Sequence, residues 1–134
     1  LIDLRESVIR FMRTAYQCRS TDVVQFAEDL QRSSREHTRF FYQLLLLWLR
    51  DILMVKIMGA QATIVNIDQA EAIAKFAGNL PDARVEAMVE LVEEAGQLIN
   101  RNVNARLNTI VLATRLAAAM RGMETSTMIA SITD

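Results

Sequence analysis

Cysteine, proline, glycine and histidine are all scarce in this chain of 134 residues, which has one Cys, one Pro, four Gly and one His. A single Cys excludes a disulfide scaffold and any cysteine-based zinc site, so nothing places the chain outside the cell. The longest apolar run is broken by Arg50, Asp51 and Lys56 and falls short of the ~20 residues a membrane span needs. All-β and doubly wound α/β folds spend Gly and Pro on many turns. Here those breakers fall only at Gly59, Gly78, Pro81, Gly96 and Gly122. The chain opens Leu1-Ile2-Asp3, with neither an initiator Met nor a cationic signal region, and reads as a fragment of a longer polypeptide.

What is present is apolar and helical in period. The composition is 51% hydrophobic and 23% charged with a formal net charge of −1, which excludes disorder. Residues 3–18 place Leu4, Val8, Phe11, Met12 and Ala15 on one helical face, with Asp3 and Glu6 as a capping pair. Ser20 and Thr21 open a second helix that turns Val23, Phe26, Ala27 and Leu30 inward. Ser33 and Glu36 have capping-box spacing and predict a third helix running to Met58, with Gly59 just past its end. That helix is apolar nearly all round: Phe41, Leu44, Leu45, Trp48, Ile52 and Val55 lie on one face, and Leu46, Leu49, Leu53 and Ile57 on the other. Such a helix must be enclosed by its neighbours, which makes it the centre of the bundle.

A connector over 59–67, with Ile64 and Val65 tucked inward, leads to a fourth helix capped by Asp68 and Glu71 and ending near Gly78. Pro81 starts a fifth helix over 82–101, with Val85, Met88, Val89, Val92, Ala95 and Ile99 inward. A sixth, over 105–121, is capped by Asn104 and stopped by Gly122. The expectation is one all-α domain over 1–134, a bundle of five to six helices followed by an unassigned tail at 123–134.

Few residues in this pattern carry chemistry. The acidic face Glu86, Glu90, Glu93 and Glu94 points away from the apolar stripe, and the lone His37 lacks the Glu-x-x-His spacing of a di-iron bundle. His37 reads as a surface residue and Cys18 as a small buried or half-buried apolar one. No nucleophile elbow, phosphate-cradling Gly loop or dinucleotide fingerprint is present. No catalytic residue, metal, cofactor or small-molecule substrate is therefore expected within this chain. Charge is balanced, which disfavours direct binding of nucleic acid. Arginine, however, outnumbers lysine thirteen to two, a bias that suits protein interfaces.

The sixth helix is the sharpest feature. Leu107, Ile110, Val111, Thr114 and Ala118 form the expected inward stripe, with Ala105, Thr109, Leu112, Leu116 and Met120 opposite and Asn108 and Arg115 dividing the two. Either the fold sandwiches this helix or its second face meets another subunit. In the latter case Thr109, Leu112, Leu116 and Met120 would touch the partner, with Arg115 at the rim. Asp51, close to the apolar arc of the third helix, needs a donor from another helix, with Arg106 and Arg115 as candidates.

The run Phe40-Phe41-Tyr42-Gln43-Leu44-Leu45-Leu46-Leu47-Trp48-Leu49-Arg50-Asp51-Ile52-Leu53 resembles the C-terminal domain of bacterial clamp-loader subunits, most of all the delta-prime type of DNA polymerase III. Asn102-Val103-Asn104-Ala105-Arg106-Leu107 resembles the turn that opens that family's last helix. The resemblance covers residues 5–121. Related subunits often carry Pro after the Asn and an acidic residue one turn into the helix, where this chain has Ala105 and Ile110. The resemblance implies a cytoplasmic, non-enzymatic collar domain that binds other clamp-loader subunits in a hetero-oligomeric ring and so supports loading of the sliding clamp onto primed DNA. The clamp, the DNA and any ATPase activity would belong to an N-terminal region of the parent that is absent from this chain. The alternative is a helical adaptor or regulatory domain unrelated to replication.

Overall fold

The computed structural model describes residues 4–59, 70–124 and 128, and the described residues form helices and turns without strands. Among the described residues six helices follow one another: α1 (Leu4–Gln17), α2 (Ser20–Arg32), α3 (Arg35–Met58), α4 (Ala70–Asn79), α5 (Val85–Asn100) and α6 (Ala105–Met120). Two of them share the centre. α3 packs against α1, α2, α4 and α5, while α6 packs against α1, α2 and α5.

The stripes read from periodicity are largely the buried ones in α1, α2, α3 and α5, with Val23, Leu44 and Val55 half-buried. Val8, Phe11, Met12 and Ala15 of α1, and Phe26, Ala27 and Leu30 of α2, enter one core with Phe41, Leu45, Trp48, Leu49 and Ile52 of α3. Phe11, Phe26 and Phe41 meet pairwise with ring centroids 5.0–5.6 Å apart, so one aromatic cluster ties the first three helices together. α5 buries Val85, Met88, Val89, Val92, Ala95 and Ile99 as the spacing predicts, and Leu91 and Leu98 as well. The enclosure of α3 is incomplete, because Phe40, Ile57 and Met58 are exposed.

Helix ends follow local chemistry with some shifts. Ser34, one residue later than the predicted cap, accepts the His37 N–H at 3.1 Å, while Ser33 Oγ donates to the Leu30 carbonyl and closes α2. α2 begins after Arg19 without a side-chain cap, so Ser20 and Thr21 lie inside the helix and do not cap it. Gly59 takes φ +60° past the end of α3, as predicted. The connector with Ile64 and Val65, and the caps Asp3 and Asp68, lie outside the described residues.

The fifth helix starts later than Pro81 suggests. Pro81 and Asp82 belong to a turn, and the Arg84 N–H donates to the Ala119 carbonyl at 2.9 Å. That bond fastens the α4–α5 turn to the end of α6. There Met123 N–H reaches the Ala118 carbonyl and Gly122 N–H the Ala119 carbonyl, each at 3.0 Å, in the double bond pattern of a Schellman stop. α5 ends the same way, with Asn102 at φ +64° in the place glycine usually takes.

Candidate interaction site

α6 is set at its first turn by Asn104, whose side chain accepts the Leu107 N–H at 2.9 Å. Along its length one arc faces the core: Ala105, Asn108, Thr109, Leu112, Ala113, Leu116, Ala117, Ala119 and Met120 are all buried. The opposite arc holds Leu107, 44% exposed, and exposed Thr114, with Ile110, Val111 and Ala118 half-buried between them.

This placement reverses the sequence reading of the helix. Thr109, Leu112 and Leu116 have no exposed surface and Met120 is 2% exposed, so in this fold none of the four is available to a partner. α1, α2 and α5 cover them, which is the sandwiched alternative. Arg115 alone of the predicted contact residues reaches the surface, half-buried beside the outward stripe. The outward residues Leu107, Ile110, Val111, Thr114 and Ala118 are those assigned to the core from periodicity. Asn108, read as a divider between faces, is fully buried.

A polar network holds the inner arc. Tyr42 of α3 lies 2.8 Å from Thr109 Oγ1, and Asn108 Nδ2 donates to the Tyr42 hydroxyl at 3.2 Å and to the Ala95 carbonyl at 2.9 Å. Three helices are thereby joined by groups away from water, where each bond is strong and each unpaired group costly. Asn108 Oδ1 is buried without a partner.

Burial pushes the Tyr42 phenol up from 10.0 to about 12, with the Thr109 and Asn108 hydrogen bonds pulling the other way. Because the folded value lies above the unfolded one, this contribution is fully present below pH 10 and is lost as pH rises through 12. We expect stability measured by urea unfolding to fall by about 2–3 kcal/mol from this group across that window. The Tyr42→Phe chain should lack that part of the fall. Equal pH profiles for the two chains would contradict the placement of Tyr42.

Several other charged residues form surface ion pairs or brace turns. Arg106 pairs with Glu28 at 3.5 Å, and Arg50 with Glu93 at 3.6 Å, linking α6 to α2 and α3 to α5. Asp51 is 2% exposed and has an interaction partner. Arg35 donates to the Ile99 and Val103 carbonyls at 2.9 and 3.3 Å, bracing the turn that leads into α6. Glu86, Glu90 and Glu93 are exposed, whereas Glu94 is half-buried and accepts the Met128 N–H at 3.1 Å. Met128 is itself fully buried, so the tail left unassigned in sequence is anchored at this residue.

Cys18 departs from its expected burial: it is exposed, at φ +58°, where α1 ends. His37 is half-buried. Among the described residues no three His, Cys, Asp or Glu side chains gather as a metal site. A hollow of about 740 Å³ lies between α1 and α4 over Trp48. Its charged lining includes Glu71 and Lys75, which pair with each other at 3.5 Å. No described helix is long and apolar enough to cross a membrane.

The outward stripe was legible only as apolar residues, since nothing in their spacing says which of two apolar faces turns inward. The signal that distinguishes the faces is the adjacent polar pair Asn108 and Thr109, which needs a buried partner such as Tyr42. A family model described as DNA polymerase III, delta subunit, C terminal matches residues 1–117 of the chain. No curated protein and no solved structure matches it.

Proposed function

For a chain that belongs to the family of C-terminal domains of DNA polymerase III delta subunits, we propose that this domain is an oligomerisation collar joining its parent to other clamp-loader subunits. The observation that carries this reading is the outward face of α6. Leu107, Ile110, Val111, Thr114 and Ala118 form a narrow apolar band flanked by Arg115, on a helix whose other face is already spent on the core. A band of this kind suits the apolar centre of an interface with a polar rim. Family membership supports a role in replication and an association with other subunits of that machinery. The inner-face contact set Thr109, Leu112, Leu116 and Met120 is not part of this proposal, because the fold uses it internally.

The resemblance of the Trp48-Leu49-Arg50-Asp51 stretch favours a delta-prime-like parent, whereas the matching family is described by the delta subunit. On this reading the chain itself is not enzymatic and uses no cofactor, and clamp and primed DNA are met by other parts of the parent in the cytoplasm. Affinity capture of the intact protein from cell extract tests the class. Recovery of polymerase III clamp-loader subunits is the expected result, and their absence under conditions that preserve the clamp loader would refute the proposal. Reconstitution with purified subunits, omitting delta or delta-prime in turn, tells the two kinds apart.

A further inference from the structure

α6 carries three large apolar side chains on each of two opposed faces. Leu112, Leu116 and Met120 point inward, and Leu107, Ile110 and Val111 lie on the outward side, Val111 half-buried against the edge of the core. Hydrophobic burial scales with apolar area and has no direction of its own, so it gives little reason to prefer one rotation of this helix over the other. The groups that differ between the faces are polar. Asn108 and Thr109 have no exposed surface and meet Tyr42, and Asn108 also reaches the Ala95 carbonyl. A half-turn of α6 about its axis would carry Thr109 outward and Asn108 to the opposite flank, strip the buried Tyr42 hydroxyl of its partners and bring Thr114 to the middle of the core.

We propose that the Tyr42–Asn108–Thr109 network is a rotational lock that selects which face of α6 is offered at the surface. Asn108 donates to the phenolic oxygen, so a phenol O–H given on to Thr109 makes one directed chain across α3 and α6. The network is an incomplete stabiliser, since Asn108 Oδ1 is buried with no partner. Its value lies in discrimination: buried polar groups fix register best where apolar packing is ambiguous. At the ends of α6 the main-chain bond from Arg84 N–H to the Ala119 carbonyl holds no side chain to either face, and the side-chain contacts of Asn104 with Leu107 N–H and Arg121 with the Tyr16 carbonyl are exposed and open to competition from water. The outward face is the one used in the proposed collar, but the lock is tested without any partner.

The test uses single cysteines in the intact chain with Cys18→Ser as background. Thr114→Cys reports the outward face and Ala113→Cys the inward one, and neither alters the large apolar side chains. With the network intact, a thiol reagent under native conditions should modify Cys at 114 at least about 100-fold faster than Cys at 113. Adding Asn108→Leu and Thr109→Val should shrink that ratio below about tenfold while far-ultraviolet circular dichroism still shows the full helical content. A ratio that stays near 100-fold would overturn the proposal and assign the rotation to the alanines packed on the inner face. If the double variant loses its helices, Tyr42→Phe decides: a reduced ratio in a helical protein supports the lock, and an unchanged ratio refutes it.

Discussion

Leu112→Asp should leave the chain largely unfolded at neutral pH, seen as loss of the cooperative thermal transition in circular dichroism. Leu112 has no exposed surface and lies mid-way along α6, among the helices that close the core. Removing its side chain to Ala should cost about 2–5 kcal/mol, the usual loss when a buried leucine leaves a cavity. A carboxylate in the same place adds several kcal/mol more, because the ion must be dehydrated or held protonated. Against a total stability of roughly 5–15 kcal/mol for a domain, the sum is enough to abolish folding. A folded Leu112→Asp chain with an ordinary transition would mean that this face of α6 is turned to solvent.

The opposite result is expected from Leu107→Glu combined with Ile110→Glu. Leu107 is 44% exposed and Ile110 half-buried on the outward stripe, so the pair should shift stability by no more than about 1 kcal/mol in the isolated chain. In the assembled complex the same two positions would fall at the apolar centre of an interface between subunits. Losing two central anchors and burying two carboxylates there should weaken association by at least about 100-fold, or about 2.7 kcal/mol. Binding of the intact protein to its neighbouring subunits, followed by titration calorimetry, reads this directly. Unfolding of the double variant would show instead that the outward stripe belongs to the core.

These two results separate what the sequence discloses from what it conceals. α1, α2 and α5 each set one apolar face against polar or charged residues, and there periodicity identifies most of the buried side chains, missing Leu91 and Leu98 at the margins of the α5 face. Val8, Phe11, Phe26, Leu30, Val85, Met88 and Ile99 are all buried for that reason. α6 offers no such contrast, and its orientation depends on Tyr42, which lies 66 residues before Asn108 in the chain. Only the fold brings them together. The start of α5 was hidden in the same manner: a proline in a promising position predicts a helix start, but the Arg84 N–H is claimed by a carbonyl at the far end of α6. Ser33, read as the cap of α3, gives its hydroxyl to the Leu30 carbonyl, and Ser34 beside it caps the helix in its place. Cys18 sits where α1 ends in a left-handed turn, a backbone requirement that residue type did not reveal.

Assignment of the outward face of α6 to an interface between subunits is tested most directly by the modification rate of Thr114→Cys. The rate is measured, with Cys18→Ser as background, in the intact protein alone and in the reconstituted clamp loader. Thr114 is exposed on that face in the chain by itself. Assembly should slow its modification by at least about tenfold. An equal rate in the free and assembled protein would contradict the assignment.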